Sequence, residues 1–461
     1  MYIEQLYTNC LAEAAYYIES DGEAAIIDPL RETTPYIELA AKRNAKIKYV
    51  FETHFHADFV SGHIDLARKT GAKIVYGPTA ETGFESIVAK DGEVFTLGKI
   101  QLKVLHTPGH TMESSCFLLK DENGTDHAVF TGDTLFVGDV GRPDLAVKSD
   151  LTQEDLAGYL YESLNNKIKT LGDEVIVYPA HGAGSSCGKN IGKETYSTIG
   201  VQKKMNYAMQ PMTKQEFIAA VLDGLSAPPK YFFVDAVLNK KGYESIDEVM
   251  SKNTLPLNIE EFEKEMKTGA TILDARDPDA FEKGYIPGAI NIGLNGQYAP
   301  WVGALLDAHA PLLFIADEGK EAEAVLRLAR VGYENVHGYL QGGIEAWKNA
   351  GKSLETIKSI TASEFVSKIN NDSNIVDVRK KGEVEGGMIE NAQHICLSKF
   401  QDEVNALDKN KHYFLHCAGG YRSMMAASIM KQKGFKHITN VRGGMAKIKE
   451  TGIKLVQPQF A

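Results

Sequence analysis

An internal repeat in the second half of the chain is the feature that most constrains the fold. Asp274 to Arg276 corresponds to Asp377 to Arg379, and Gly342-Gly343 corresponds to Gly443-Gly444, at a spacing of about 100 residues. Each copy alternates short apolar runs with helical stretches, a pattern typical of a parallel sheet flanked by helices. The sequence therefore predicts two copies of one α/β fold.

The rest of the chain predicts a third domain in front of the repeats. With 461 residues and domains near about 150 residues, three domains are expected. The first part alternates apolar strands with loops rich in His, Asp and Gly, which indicates layered α and β structure with chemistry at strand ends. We predict an α/β multidomain chain with an αββα sandwich at residues 1–255 and two parallel-sheet domains at 256–354 and 355–461.

Composition narrows the class of partner. The formal net charge of -11 and the pI near 5.7 disfavour nucleic acid, which needs a basic surface. The sequence has no apolar run of about 18 residues and no leader at its start, so we expect a cytoplasmic protein that does not enter a membrane. Five scattered cysteines do not suggest a disulfide framework and favour a reducing compartment. Small molecules are the expected partners, and a homo-oligomer remains compatible with the sequence.

A metal motif lies in the first third of the chain. The run T-H-F-H-A-D-F at residues 53–59 nearly matches the hydrolase pattern T-H-x-H-x-D-H, but Phe59 stands where the last histidine would hold a second metal. Further along come T-P-G-H ending at His110, T-G-D ending at Asp133 and Y-P-A-H ending at His181. Two histidines and one carboxylate leave open positions suited to Fe(II) and oxygen. The pattern favours one metal and chemistry other than two-zinc hydrolysis.

On these residues, the first 250 positions resemble the metallo-β-lactamase fold and, within it, the persulfide dioxygenase branch. That branch is similar to the glyoxalase II hydrolases but binds a single iron. The resemblance implies one Fe(II) per chain, with zinc able to take its place in isolated protein. The implied metal ligands are His54, His110 and Asp133. The residues implied to lie beside the metal and orient its ligands are His56, Asp58 and His181. Arg142, in the G-R-P-D run, is a candidate contact for an anionic substrate.

The second chemical motif is the run C-A-G-G-Y-R-S at residues 417–423. It follows an apolar strand and precedes a helical stretch, so backbone N–H groups and the helix N-terminus favour an anion at the Cys417 sulfur. Four residues separate Cys417 from Arg422, one fewer than in a Cys-x5-Arg phosphatase. The run resembles the active loop of rhodanese sulfurtransferases, in which the cysteine carries sulfur as a persulfide. This resemblance implies that Cys417 and Arg422 are catalytic. The implied substrate-binding residues are Ala418, Gly419, Gly420, Tyr421 and Ser423.

Two further positions bear on this chemistry. The middle copy has Asp317 where the last copy has Cys417, in a loop that we expect to be about two residues shorter, so it cannot carry sulfur by this route. A structural or docking role is expected for it. Cys187 follows His181 in a glycine-rich run and is a catalytic candidate that lines the metal pocket and handles substrate or relays sulfur. The alternative is a loop cysteine without a role.

Together these motifs predict an oxidoreductase that converts a low-molecular-weight thiol persulfide and O2 into sulfite and thiol. Cys417 would add sulfurtransferase activity that makes or uses thiosulfate, in detoxification of sulfide and persulfides. Two alternatives stay open. One is a zinc-dependent thioester hydrolase of the glyoxalase II type, with two metals and accessory rhodanese domains. The other is a sulfur-carrier or docking protein whose metal is structural. The sequence does not identify the thiol.

Overall fold

The computed structural model describes residues 1–146, 150–225 and 227–458. The chain divides into two compact units. The first comprises Met1–Val249 and the short segment Ala329–Gly332, and the second comprises Met250–Leu328 and Tyr333–Ala461. The main division therefore lies close to the predicted domain boundary at residue 255, and both sequence repeats belong almost entirely to the second unit.

Within the described residues, the strands of the first unit form two six-stranded sheets. The strands are β1 (Tyr2–Thr8), β2 (Glu13–Ser20), β3 (Glu23–Ile27), β4 (Lys46–Phe51), β5 (Lys73–Tyr76), β6 (Ile87–Val88), β7 (Val94–Leu97), β8 (Ile100–His106), β9 (Ser115–Lys120), β10 (Asp126–Gly132), β11 (Ile176–Pro179) and β12 (Ser197–Thr198). One sheet has the order β1-β2-β3-β4-β5-β6, and the other has the order β12-β11-β10-β9-β8-β7.

The helices that the structure describes up to residue 253 are α1 (Thr34–Lys42), α2 (His63–Thr70), α3 (Gln153–Ser163), α4 (Ile199–Met205), α5 (Lys214–Leu222), α6 (Phe232–Lys241) and α7 (Ile246–Asn253), the last of which extends into the second unit. Capping boxes fix the starts of two of them, because Thr152 pairs with Asp155 at α3 and Thr213 pairs with Glu216 at α5. A π-helical turn, Leu164–Ile168, continues α3.

The core of the first unit follows from the alternation of side chains along each strand. In β2, Tyr16 and Ile18 pack between the two sheets, whereas Ala15 and Tyr17 pack beneath α1 and α2. The outer face of the second sheet packs in the same way on α3 and α5. Layers of helix, sheet, sheet and helix result, which confirms the predicted sandwich.

The second unit, as far as it is described, contains two five-stranded parallel sheets and a two-stranded pair. The strands are β13 (Pro256–Leu257), β14 (Thr271–Asp274), β15 (Ile290–Asn291), β16 (Leu312–Ile315), β17 (Val336–Leu340), β18 (Lys358–Ile360), β19 (Asn374–Asp377), β20 (Met388–Ile389), β21 (Gln393–His394), β22 (Tyr413–His416), β23 (Ile438–Val441) and β24 (Leu455–Val456). The sheet orders β13-β17-β16-β14-β15 and β18-β23-β22-β19-β21 have the same topology. This identity confirms the predicted duplication.

Helices flank each of these sheets. They are α8 (Ile259–Met266), α9 (Pro278–Phe281), α10 (Tyr298–Leu305), α11 (Glu321–Ala329), α12 (Gly343–Asn349), α13 (Ala362–Lys368), α14 (Lys381–Val384), α15 (Phe400–Glu403), α16 (Tyr421–Gln432) and α17 (Gly444–Glu450). In the part of the chain that the structure describes, no helix combines the length and apolar character needed to span a bilayer.

The repeated D-x-R sequence forms the same buried ion pair in both copies. Arg276 Nη2 donates to Asp274 Oδ2, and Arg379 Nη2 donates to Asp377 Oδ2, each at 2.6 Å. The copies differ by one residue in loop length, because five residues separate β16 from α11 and four separate β22 from α16. The expectation of a shorter middle loop is therefore wrong. The paired strand ends, Ile315 beside Asp274 and His416 beside Asp377, also place Ala316 rather than Asp317 at the position of Cys417.

Candidate metal centre and cysteine loop

Four loops at the carboxyl ends of strands build the metal centre. His54 follows β4, His110 follows β8, Asp133 follows β10 and His181 follows β11. Since β3 and β4 are parallel, as are β10 and β11, these loops emerge at one edge of the sandwich. This placement agrees with the sequence-based expectation of chemistry at strand ends.

The three predicted ligands converge on one point. The ligand atoms of His54, His110 and Asp133 all lie within 4.8 Å of one another, and the three residues are at most 2% exposed. Asp133 Oδ2 lies 4.0 Å from His54 Nε2 and 3.4 Å from His110 Nε2. Both carboxylate oxygens of Asp133 are buried without a hydrogen-bond partner. A buried, unpaired carboxylate is costly, and a cation shared with two imidazoles would remove that cost. The residues therefore fit a metal ion.

Neighbouring groups fix the tautomers of both histidines. His110 Nδ1 lies 2.8 Å from the Arg142 carbonyl oxygen, which can only accept, so Nδ1 carries the proton. The Thr53 hydroxyl donates to Asp28 Oδ2 at 2.8 Å and therefore accepts from His54 Nδ1 at 3.0 Å. In each imidazole the Nε2 lone pair is left to face the shared carboxylate. This is the arrangement that metal-binding histidines need.

The charge state of His54 suits the same role. Burial lowers its pKa well below the ordinary histidine value, and repulsion from His56, His110 and His181 lowers it further. His54 is therefore neutral near pH 7, and only a neutral imidazole can bind a metal.

Two glycines allow these loops to approach one another. A Cβ atom on Gly141 would lie 2.0 Å from the Asp133 carbonyl oxygen and 3.0 Å from His110 Nδ1. Gly109 has a φ of +148°, and a Cβ there would lie 2.5 Å from the Leu160 backbone in α3. The P-G-H and G-R-P-D motifs therefore contain glycine because any side chain at Gly109 or Gly141 would collide with neighbouring backbone beside the ligands.

A second set of possible ligands lies next to the first. Asp58, His181 and Cys187 offer ligand atoms within 4.8 Å of one another, and all three are buried. His181 Nε2 lies 3.4 Å from Asp58 Oδ2 and 3.5 Å from Asp133 Oδ1. Phe59 is fully buried and contributes no ligand, as expected. Asp58, His181 and Cys187 nevertheless place three possible metal donors beside the first set, and Cys187 is the one that lies outside the ligand motifs.

The protonation of this second set is also set by its surroundings. His181 Nδ1 lies 3.2 Å from the Ala12 carbonyl oxygen, so Nδ1 carries the proton and Nε2 is the free acceptor. Burial raises the pKa of the Cys187 thiol well above its ordinary value, and the nearby Asp58 and Asp133 add to the rise. Cys187 therefore lies beside Asp58 and His181 as a thiol rather than a thiolate while no cation is bound.

His56 points away from the metal position. Its Nε2 lies 3.1 Å from Asp28 Oδ1 and 3.6 Å from Glu52 Oε2. Burial alone would lower the pKa of His56, but Asp28, Glu52 and Asp58 outweigh burial and raise the pKa to about 9. The His56 imidazole is therefore protonated near pH 7 while no cation is bound. Together with Asp28 and Glu52 it forms a buried set of possible ligands apart from His54, His110 and Asp133.

Arg142 has a different role from the expected substrate contact. Its guanidinium is buried and forms two bonds to Asp144, from Nε at 2.6 Å and from Nη2 at 2.7 Å, and Nη1 donates to the Ser186 carbonyl oxygen. The Arg142 guanidinium is therefore already paired with groups of the protein itself. Arg142 contributes to the metal centre through its carbonyl group, which holds His110.

A cavity of about 430 Å³ opens beside His110. Its apolar walls include Phe55 from the motif run and Phe232, Phe233 and Val237 from α6. A cavity of this size with a candidate metal ligand in its wall is suited to a small organic molecule.

Sequence reasoning did not assign a role to α6. Besides lining the cavity, it carries Asn239, whose side-chain nitrogen donates to the carbonyl oxygens of His56 at 2.8 Å and Phe59 at 2.7 Å. The Asn239 oxygen accepts from Ser61 N at 2.9 Å. Helix α6 therefore holds the motif loop in place, and a contact so distant in sequence leaves no local signal in one chain.

Cys417 lies at the base of a closed loop between β22 and α16. It is 1% exposed, and Gly420 N donates to its Sγ at 3.0 Å. Met445 lies near the start of α17, and its N–H donates to the Cys417 carbonyl oxygen at 2.7 Å. A Cβ on Gly444, whose φ is +50°, would lie 2.4 Å from that oxygen. The loop therefore directs an N–H group at the sulfur, and the Gly443-Gly444 turn packs against its backbone.

Arg422 lies beside this loop and is already paired. Its Nη1 and Nη2 donate to the two carboxylate oxygens of Glu383 at 2.6 and 2.7 Å. Although burial lowers the pKa of Arg422, Glu383 more than compensates and raises it. An anionic sulfur donor would therefore share Arg422 with Glu383. Sequence reasoning did not anticipate this partner.

Comparison with known proteins agrees with this architecture. Residues 8–181 match the metallo-beta-lactamase superfamily, and residues 258–350 and 361–451 each match the rhodanese-like domain. The chain belongs to the metallo-β-lactamase superfamily and carries two rhodanese-like domains after its metallo-β-lactamase domain. A crystal structure described as a metallo-beta-lactamase from Staphylococcus aureus subsp. aureus COL shares 32% sequence identity, with a TM-score of 0.65. That similarity covers 74% of this chain and 98% of the other.

Curated relatives match a smaller part of the chain. A probable hydroxyacylglutathione hydrolase of Schizosaccharomyces pombe is 32% identical over 166 residues, which is 35% of this chain and 60% of the relative. The cytoplasmic hydroxyacylglutathione hydrolase of Arabidopsis thaliana is 34% identical over 180 residues, which is 38% of this chain and 66% of the relative. The chain thus spans less than two thirds of the length of these relatives.

Proposed function

We propose that this protein is an Fe(II)-dependent persulfide dioxygenase coupled to a thiosulfate sulfurtransferase. The observation that carries the proposal is the buried set of two histidines and one carboxylate, His54, His110 and Asp133. That donor set leaves several coordination positions open and is typical of non-haem Fe(II) enzymes that use oxygen. A sulfur-handling loop around Cys417 on the same chain points to sulfur as the element oxidised.

The overall oxidation balances with water as co-reactant. One thiol persulfide, one dioxygen and one water give one thiol, one sulfite and two protons, and four electrons pass from sulfur to dioxygen. Bound Fe(II) would supply the one-electron chemistry that lets dioxygen react with the terminal sulfur. His54 and His110 would hold the ion through Nε2, and Asp133 would offset its charge. The cavity beside His110 would hold the organic part of the persulfide and limit the access of bulk water.

The second activity uses the Cys417 loop. A thiol persulfide would transfer its outer sulfur to Cys417 and leave as a thiol. Sulfite would then attack the outer sulfur of the Cys417 persulfide, so that the S–S bond to the protein breaks, thiosulfate leaves and the Cys417 thiolate is restored. The Gly420 N–H group, which faces Sγ, is placed to stabilise the anionic persulfide. The reverse reaction would load Cys417 from thiosulfate.

The expected setting is a reducing cytoplasm, with small molecules as the only substrates and neither nucleic acid nor membrane as partner. All five cysteines are free, which is compatible with that setting. Cys187, in the wall of the metal pocket, would handle the persulfide through sulfur exchange.

Oxygen consumption tests the proposal. Protein purified without oxygen and loaded with Fe(II) should hold one iron per chain and consume one dioxygen for every two glutathione persulfides, because the second persulfide supplies the sulfur that turns sulfite into thiosulfate. A His110→Ala variant should lose both uptake and iron. Uptake no higher than in this variant would reject the dioxygenase assignment.

A zinc thioester hydrolase is the second candidate. The second ligand set of Asp58, His181 and Cys187 favours it, since a two-metal site needs ligands at this position. The hydroxyacylglutathione hydrolases among the relatives point the same way. This candidate predicts two zinc ions per chain and cleavage of a hydroxyacyl-glutathione thioester in the absence of oxygen, whereas the dioxygenase predicts neither.

A further inference from the structure

We infer that the middle domain, residues 258–350, forms part of the Cys417 site and positions its active loop through Tyr421. The middle domain lacks the cysteine, yet its sheet has the same strand order as that of the active copy. The inference rests on the proposed sulfurtransferase activity and adds a function for the copy that cannot carry sulfur itself.

The first contact joins the active loop to the middle domain. Tyr421 is the first residue of α16 and lies between Gly420 and Arg422. Its hydroxyl donates to the Gly293 carbonyl oxygen at 2.6 Å. Its ring fills the space where a side chain of residue 296 would stand, since a Cβ on Gly296 would lie 2.4 Å from Tyr421 Cζ. The middle domain therefore forms a seat for this ring, and the seat needs a glycine.

The seat itself is fixed from inside the middle domain. Arg327 of α11 donates to the carbonyl oxygens of Leu294 at 2.6 Å and Gly296 at 2.9 Å. Leu294 N also donates to the Ala275 carbonyl oxygen at 2.9 Å. A buried arginine therefore holds the backbone of the loop that receives Tyr421.

Two more contacts reach other parts of the active copy. Asn291 N donates to Ser428 Oγ in α16 at 3.0 Å. Glu282 forms an ion pair with Arg442, which directly precedes the glycine pair that supports the Cys417 carbonyl oxygen. The middle domain therefore contacts the first residue of α16, the interior of that helix and the turn beneath the cysteine.

These contacts explain how a change in the middle domain would reach the sulfur. Gly420 N, which donates to Cys417 Sγ, belongs to the residue directly before Tyr421, and Gly420 has a φ of +104°. A displaced Tyr421 ring would shift Gly420 and move its N–H group away from Sγ. Because that group faces the sulfur that becomes the persulfide anion, loading and transfer should weaken. Tyr421 and Gly296 are therefore positioning residues rather than catalytic ones.

Sulfur transfer from thiosulfate to cyanide, measured on the full-length chain, tests the inference. In this reaction Cys417 takes the outer sulfur of thiosulfate, sulfite leaves, and cyanide then removes the sulfur as thiocyanate. Gly296→Ala should lower kcat/KM at least tenfold. Tyr421→Phe keeps the ring and loses only the bond to Gly293, so it should lower kcat/KM about three- to tenfold. Tyr339→Phe, in the middle domain but away from the seat, is the matched control and should change nothing.

A double-mutant cycle separates positioning from general loss of structure. In a Tyr421→Ala background there is no ring to displace, so Gly296→Ala should cause less than a twofold further loss. Unfolding temperatures should stay close to that of the wild type in Tyr421→Phe. The inference is overturned if Tyr421→Phe and Gly296→Ala both stay within twofold of the wild type, or if the Gly296→Ala loss is the same in both backgrounds. A wild-type chain without any transfer would reject the proposed sulfurtransferase, and this inference with it.

Discussion

Asp28 accepts two hydrogen bonds from Thr53, one from the backbone N–H at 2.7 Å and one from the hydroxyl at 2.8 Å. Asp28 adopts a left-handed backbone, with φ at +48°, directly after β3. Such a conformation is costly for a residue other than glycine and is retained where it positions a functional group. Here it directs a carboxylate at the threonine that in turn orients His54.

Thr53→Val should weaken metal binding without removing a ligand. Valine has the shape of threonine but leaves Asp28 Oδ2 and His54 Nδ1 without their shared hydroxyl. Loss of such supporting contacts typically costs roughly 10- to 100-fold in metal affinity. Metal affinity can be measured by competition with a chelator, and Thr53→Ser, which keeps the hydroxyl, should retain most of it. Equal affinities in the valine and serine variants would contradict the assigned orientation of His54.

Phe59→His should increase the metal capacity of the chain. The Phe59 ring lies 4.4 Å from the His56 ring, is fully buried, and directly follows Asp58 of the second ligand set in the chain. An imidazole there would join Asp58 and His181. With zinc in excess, we expect two ions per chain in the variant against one in the wild type, as counted by elemental analysis. Burying the polar ring should cost about 1–3 kcal/mol of stability.

Two results would contradict this prediction. The wild type would hold two zinc ions if Cys187 were already a ligand, and Cys187→Ser would then reduce the count to one. Alternatively, a folded Phe59→His variant would still hold a single ion. The first result would also favour the hydrolase candidate.

Gly141→Ala should disturb the metal centre through the backbone. The added methyl group would press against the Asp133 carbonyl oxygen and His110 Nδ1, so both ligands must shift. We expect a loss of about 1–3 kcal/mol in the free energy of unfolding, together with lower metal occupancy. Gly172→Ala is the control in the same unit, because its Cβ meets only Val175 Cγ2 at 3.9 Å. The control should stay within about 0.5 kcal/mol of the wild type.

Cys417→Ser should separate the two proposed activities. Serine cannot carry sulfane sulfur, whereas the metal ligands are untouched, so oxygen uptake should continue at the wild-type rate. With glutathione persulfide as substrate, the product should shift from thiosulfate to sulfite, which chromatography of the derivatised anions can quantify. Thiosulfate formed at the wild-type rate by the variant would reject sulfur transfer through Cys417.

The sequence predicted the parts of the site that lie within contiguous motifs. The two D-x-R pairs show the duplication because each pair forms within three residues, and His54, His110 and Asp133 each belong to a short motif at the end of a strand. Cys187 lies beside Asp58 and His181 because tertiary folding brings these three residues together. The ligand motifs do not include Cys187, so the motifs alone did not reveal the complete second ligand set.

Other features depend on partners that a single chain does not mark. Arg142 was interpreted as a substrate contact because it is a cation in the G-R-P-D run, but Asp144 pairs with its guanidinium. Glu383 pairs with Arg422 across a long stretch of sequence, and Asn239 holds the metal loop from α6. Such contacts arise from tertiary packing and have neither a periodicity nor a spacing of their own.

The burial of Cys417 acts as a filter on the size of its reaction partners. With only 1% of the residue exposed, a sulfur atom on Cys417 would be within reach of sulfite, thiosulfate and the protruding sulfur of a small thiol persulfide, whereas a cysteine on the surface of another folded protein could not approach it without opening the loop. The same enclosure would protect a loaded persulfide against reduction by folded proteins. Stored sulfur would therefore survive between the encounter with a donor and the encounter with an acceptor.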